Sequence, residues 1–210
     1  MTGIDQSPRA PGRPRSEKAR QAILASAMDL LLAQGLHAMS MDDVARRAGV
    51  SKATIYRWWP SKERLALDAL ATEWATMPPA GQRQTGSLCG DLLARFRPWI
   101  RQLNRKPYAR VVAGLVAEAQ QNPEFAELYR EHFVRPRRDA TRELLVQARD
   151  RGEIVATTDL EVTLDLLYGP IYHRLLHGHA PVTERFAQQV IDYVISAISA
   201  SPATLRKDPR

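Results

Sequence analysis

The stretch Ser40-Met-Asp-Asp-Val-Ala-Arg-Arg-Ala-Gly-Val-Ser-Lys-Ala-Thr-Ile-Tyr-Arg-Trp-Trp59 spells two short helices joined by a glycine turn. Ser40 can cap the first helix, while Asp43, three residues on, returns a bond to the cap and sets negative charge at the positive helix end. Val44 and Ala48 share one face of that helix. Gly49 supplies the backbone freedom for the turn, Val50 can plug the angle between the helices, and Ser51 can cap a second helix starting at Lys52. The pattern predicts a helix-turn-helix.

The second helix is the one suited to a DNA groove. Ile55 and Trp59, four apart, would face inward, leaving Lys52, Ala53, Thr54, Tyr56, Arg57 and Trp58 outward as a mixture of donors, apolar contacts and cations fit for phosphates and base edges. With Ala-Gly-Val-Ser-Lys-Ala-Thr-Ile-Tyr over 48–56 and Pro-Ser-Lys-Glu-Arg-Leu over 60–65, the segment from Gly35 to Leu65 resembles the DNA-binding domain of TetR-type transcriptional regulators. Trp59 stands where that family usually carries Phe, a conservative exchange for a core aromatic. The pair Arg57-Trp58 varies within the family and lies on the operator-choosing surface. The resemblance implies phosphate contacts from Tyr56 and Lys62, and it is strong over roughly the first third of the chain. Together the motif and the resemblance give a DNA-contact set of Ser40, Ser51, Lys52, Ala53, Thr54, Tyr56, Arg57, Trp58 and Lys62. For Trp58 two roles stay open, contact with sugar or a thymine methyl and packing on the helix flank.

The charge distribution agrees. The chain of 210 residues carries a formal charge of +7, and residues 1–64 hold eleven Lys and Arg against six Asp and Glu, whereas the remainder holds nineteen against seventeen. Basic character is thus concentrated around the motif, favouring a polyanionic partner. The segment Pro11-Gly12-Arg13-Pro14-Arg15 resembles a short minor-groove clamp, adding Arg13 and Arg15 to the DNA set; a solvated tail is the alternative. Cys89 is the only cysteine, so no intrachain disulfide can form and a reducing compartment is expected. No signal-like run opens the sequence and no segment approaches the about 20 apolar residues of a membrane span, so a cytoplasmic protein without membrane contact is expected.

Helical periodicity organises the rest. Residues 1–15 read as a flexible basic arm, 16–77 as the DNA-binding domain, 78–86 as a loop, 87–200 as an all-helical regulatory and dimerisation domain, and 201–210 as a flexible tail. A first helix is expected from Ser16 to Gln34 with Gly35 as its terminator, and a fourth from Lys62 to Met77. In the second domain, helices are expected over 88–104, 108–121, 122–151 with a kink at Pro136, 159–177, and 183–199. The last two are apolar on more than one face. Leu164, Leu167, Ile171, Leu175, Val190, Val194 and Ile198 are therefore the expected dimer interface; in TetR-type regulators the corresponding pair forms a four-helix dimer contact. The alternative is that both helices simply close the core of one subunit.

Chemistry is sparse. His173, His177 and His179 form the most metal-like cluster, but no cysteine or acidic residue completes a ligand spacing, so no metal and no cofactor is expected. Neither a phosphate-binding glycine loop nor a nucleophile motif is present, which argues against an enzyme. A ligand cavity is the better reading. Phe96, Trp99, Tyr108, Phe125, Tyr129, Phe133, Tyr168 and Tyr172 could line one, with His132 or His173 orienting a small molecule, or they could be ordinary core. The sequence reads as an all-α homodimeric regulator that binds double-stranded DNA, and the resemblance implies a repressor of a palindromic operator that is released by a small molecule. A DNA-binding regulator or architectural factor without an inducer is the alternative, and an enzyme using the His173 cluster the rival from another class.

Overall fold

The computed structural model of the chain describes residues 16–75, 85–105 and 107–200, which form ten α-helices and one π turn. The expected arm with Arg13 and Arg15, most of the loop over 78–86 and the tail over 201–210 lie outside these residues. Four helices build the N-terminal unit: α1 (Glu17–Ala38), α2 (Met41–Ala48), α3 (Lys52–Tyr56) and α4 (Lys62–Ala75). Ser16 caps α1, which buries Ile23, Leu24, Ala27 and Leu31. Gly35 takes a φ of 79° and a ψ of 173°, which is not helical, so the regular helix breaks there and one further turn carries the chain to Ala38. That conformation is open to glycine and strained for any other residue. α1 packs along α4 and α2, and Val44, Ile55, Trp59 and Leu65 fill the space between them.

The C-terminal unit holds α5 (Leu88–Leu103), α6 (Tyr108–Gln121), α7 (Pro123–Tyr129), a π turn (Arg130–Val134), α8 (Arg135–Asp150), α9 (Leu160–His177) and α10 (Glu184–Ile198). Caps fall on the expected polar residues: Asn122 accepts from the Phe125 amide at 3.0 Å, Asp159 from Glu161 and Val162 at 2.9 and 3.1 Å, and Thr183 from Phe186 at 3.1 Å. In place of one kinked helix over 122–151, the chain runs through α7, the π turn and α8. The Arg135 amide donates to the Arg130 carbonyl, five residues back. The cause is visible in the sequence: the Pro136 ring would press on the carbonyl four residues earlier in a regular α-helix, and the wider turn ahead of it relieves that clash. α9, by contrast, runs unbroken through Gly169-Pro170.

The two units touch. α6 lies against α1, while α7 and the π turn lie against α4. No helix among the described residues is long and apolar enough to cross a membrane.

Candidate DNA-binding surface and effector cavity

At the helix-turn-helix, local chemistry sets the geometry. The Ser40 hydroxyl accepts from the Asp43 amide at 3.1 Å and donates to the Asp43 carboxylate at 2.6 Å, so the cap and its partner are tied twice. Asp43 also pairs with Arg46. Gly49 ends α2 in the left-handed region, φ 66°, and the Val50 amide reaches back to the Ala45 carbonyl at 3.0 Å, closing the turn. Ser51 then caps α3, accepting from the Thr54 amide at 3.2 Å, and its hydroxyl meets that of Thr54 at 2.9 Å. Ile55 and Trp59 face inward and are buried, as their spacing requires.

What remains outward is a compact cationic and aromatic face. Ser51, Lys52, Ala53, Tyr56 and Arg57 are exposed and Thr54 is half-buried. Lys52 leans on Asp42 at 3.0 Å, and that hydrogen bond and charge hold its ammonium above the usual lysine range, so it is a cation at any physiological pH. Trp58 is half-buried, 6.0 Å from the Trp59 ring and beneath the Arg20 guanidinium at 5.9 Å, so part of its side chain packs on the helix flank. Ser40 is spent on its cap. Lys62 donates to the Leu36 and His37 carbonyls at 3.2 and 3.0 Å, fastening the start of α4 to the last turn of α1; its remaining proton is available to a phosphate.

In the C-terminal unit the expected aromatic set divides into a wall and a backing. Tyr129, Phe133, Tyr168 and Tyr172 line a cavity of about 420 Å³ between the π turn, α8 and α9. Phe96 and Trp99 stand behind the Tyr168 ring at 5.1 and 5.6 Å; Phe125 stacks on Tyr129 at 6.4 Å, and Tyr108 is buried away from the cavity. Burial pushes the Tyr108 and Tyr129 phenols well up, so both are neutral donors at physiological pH. Beneath the cavity a polar network fixes Tyr168: its hydroxyl meets Thr141 at 2.8 Å and donates to the Arg137 carbonyl at 3.2 Å, while Arg95 donates to Thr141 and to the same carbonyl at 2.8 and 3.1 Å.

Several lining residues escaped the sequence reading, Arg137 above all. Its guanidinium lies 5.8 and 5.4 Å from the Trp99 and Phe133 ring centres. Arg137 follows Phe133 by four and Tyr129 by eight, a spacing that could have placed it on their face; within Arg135-Pro-Arg-Arg it looks instead like solvated charge. The two histidines offered as ligand-orienting groups are elsewhere. His132 donates from Nδ1 to the Leu128 carbonyl at 2.9 Å and turns Nε2 toward Asp68 of α4 at 3.9 Å. Asp68 in turn accepts the Trp59 indole N–H at 2.9 Å and pairs with Arg64 at 3.4 Å. His173 is exposed and clusters with His177 and His179, ring centres 4.6 and 5.0 Å away, yet among the described residues no group of three or more His, Cys, Asp or Glu is arranged to hold a metal ion.

The expected interface residues need a correction of place. Leu164, Leu167, Ile171, Val190 and Val194 are buried inside a single chain, and Leu175 and Ile198 are half-buried against the same core. Each fully buried leucine or isoleucine gives about 1.5–3 kcal/mol to that core and is not available to a partner. Exposed apolar side chains lie on the opposite stripe: Val162, Leu166 and Leu176 of α9 and Tyr193 of α10 keep 54, 50, 47 and 76% of their surface.

Comparison with known proteins places this architecture. Residues 23–69 match the model of bacterial regulatory proteins of the tetR family, and residues 82–194 match that of the tetracyclin repressor-like C-terminal domain. The uncharacterized HTH-type transcriptional regulator YdeS of Bacillus subtilis is 36% identical over 92% of this chain and 96% of its own length. The DNA-binding transcriptional repressor TetR of Mycobacteroides abscessus is 29% identical over 86% of this chain and 94% of its own. The crystal structure of the TetR family transcription regulator SCO0332 superposes with a TM-score of 0.72 at 33% identity, covering 87% of this chain and all of that one. With both halves matched and the helix-turn-helix intact, the chain belongs to the TetR family of DNA-binding transcriptional regulators.

Proposed function

We propose that the chain acts as a twofold dimeric repressor of a palindromic operator and is released from it by a small molecule bound in the cavity between the π turn, α8 and α9. Base reading falls to Lys52, Ala53, Thr54 and Arg57, with Tyr56 and Lys62 on phosphate. A five-residue recognition helix reaches few base pairs, so a second copy one helical turn along the duplex is what makes a specific site. The exposed stripe of Val162, Leu166, Leu176 and Tyr193 supports pairing through α9 and α10. The Mycobacteroides abscessus relative is a DNA-binding transcriptional repressor.

One observation carries the ligand-controlled part. Adjacent residues of the π turn serve the two units: Phe133 lines the cavity, and His132 stands 3.9 Å from Asp68, which holds the indole of Trp59 at the end of the recognition segment. A molecule that moves the π turn therefore moves the support of α3. By linkage, an effector that weakens operator binding is itself bound less well when operator is present. The test maps the operator, screens small molecules for release, and titrates each hit with and without operator. Weaker ligand binding to the operator complex is expected. Equal affinities for every hit that occupies the cavity would overturn ligand control.

A further inference from the structure

We propose that His132 and Asp68 form a proton-operated clasp between the two units, closed by an imidazolium and released by a neutral imidazole, whose closing tightens operator binding; this rests on the reading of α3 as the operator-binding helix. The chemistry begins at Nδ1. A carbonyl oxygen can only accept, so the 2.9 Å bond to Leu128 puts a hydrogen on Nδ1 of His132. A neutral ring then carries a bare lone pair on Nε2, and that atom faces Asp68 Oδ1 at 3.9 Å, acceptor against acceptor. One proton added at Nε2 turns the same geometry into an ion pair across the junction. Histidine is the side chain whose charge ordinarily changes between about pH 5 and 8.

The surroundings leave Asp68 as the group that answers the ring. His132 keeps 22% and Asp68 25% of its side-chain surface, so the pair is screened less than one on the open surface. On the same face of α4, Arg64 reaches Asp68 Oδ1 at 3.4 Å, so a protonated ring would place the carboxylate between two cations. Lys62, Glu63 and Glu73 lie five or six positions from Asp68, off that face. From α7, the π turn and α8, Glu127, Arg130, Glu131 and Arg135 pair among themselves at 2.6 to 3.7 Å, Glu124 lies two turns before the ring, and Arg137 lies against Trp99 and Phe133. Asp68 also gives the clasp its reach. Its other oxygen accepts the indole N–H of buried Trp59 at 2.9 Å, at the end of the segment that begins with α3. A carboxylate gripped by His132 as well as Arg64 gives Trp59 a fixed seat, and a fixed seat lowers the ordering cost of presenting α3 to DNA. The operator complex therefore holds the proton more tightly than the free protein does, and by linkage operator affinity falls as pH rises through the titration.

The proton is the only ligand the test needs. In full-length protein labelled with 15N-tryptophan, the Trp59 indole N–H resonance, assigned by its loss in Trp59→Phe, is followed from pH 5 to 8. It is expected to titrate in the parent and to stay flat in His132→Gln, which has no titrating ring. Affinity for the mapped operator is then measured at pH 6 and pH 8 at one ionic strength, without any small molecule. The parent should bind about three- to tenfold more tightly at pH 6 beyond whatever gain His132→Gln shows, and at pH 8 the two should bind alike. Comparing the two proteins cancels the contribution of the other histidines. Should His132→Gln fail to fold, Asp68→Asn leaves an oxygen for the Trp59 indole, removes the charge, and should flatten the same difference. A Trp59 resonance that does not titrate in the parent, equal pH dependence of operator affinity in parent and variants, or a His132-dependent gain toward pH 8 would overturn the proposal. A His132-dependent indole titration in a parent that binds no operator at either pH upholds the clasp and sinks the operator reading instead.

Discussion

Two five-residue elements do opposite work in this molecule. Lys52–Tyr56 is a free-standing helix, capped by Ser51 and preceded by the Gly49 turn, that anchors itself through Ile55 and turns its other side chains to solvent. Arg130–Val134 has no capping side chain; it is continuous with α7 and α8, and its side chains reach a cavity on one side and the other unit on the other. A surface that reads DNA can be assembled from neighbours in sequence, because it needs only a rigid platform and outward groups. A segment that touches a cavity and a second unit at once has to be held by residues far apart in sequence.

The contrast breaks most sharply on α9, where adjacent leucines face different surroundings. Leu167→Glu places an unpaired carboxylate in the core and should cost about 3–5 kcal/mol, seen as loss of the cooperative thermal transition. Leu166→Glu, on the exposed stripe, should leave the helical content intact and halve the mass by light scattering. A folded Leu167→Glu protein, or a Leu166→Glu protein of unchanged mass, would move the dimer face elsewhere. A smaller effect is expected at the recognition helix. Tyr56→Ala, exposed and without a core role, should lower operator affinity by about 1–3 kcal/mol with the melting temperature unchanged. An unaltered operator affinity would remove Tyr56 from the contact surface. The smallest effect belongs to the connecting segment. His132→Gln should leave both single affinities near those of the parent while reducing the coupling between ligand and operator by about 1 kcal/mol. Full coupling in that variant would route the signal around Asp68.

These differences also explain what could be read from residues alone. Ser40, Gly49 and Ser51 announce their geometry within three or four positions, and Ile55 and Trp59 announce their burial by spacing, so the motif was legible in full. The roles of Lys62 and Trp58 were only half legible, because the Leu36 carbonyl and the Arg20 guanidinium that occupy them lie 26 and 38 residues away. On α9 apolar residues occupy two opposite stripes, and on α10 Tyr193 stands outside the inner one. Periodicity identifies such a stripe without telling which one faces its own chain, and Leu164, Leu167 and Val194 fell on the inner one. Arg137 was hidden by its charged neighbours. Pro136 was visible as a disturbance, but whether a helix answers a proline with a bend or with a wider turn depends on what packs around it.

The π turn bears on how a response would be graded. Its Arg130 carbonyl is taken by the amide five residues on, so a return to α geometry would hand that carbonyl to Val134, turn every side chain after it by one register step and press the Pro136 ring on the carbonyl four residues earlier again. In that step Arg137 would leave its aromatic rings and His132 would leave Asp68 together. Hydrogen-bond registers are discrete, so such a segment would move in steps, like a ratchet. A half-maximal dose of effector would then describe a mixture of molecules wholly on and wholly off the operator, and the slope of the dose curve would count how many subunits change register at once.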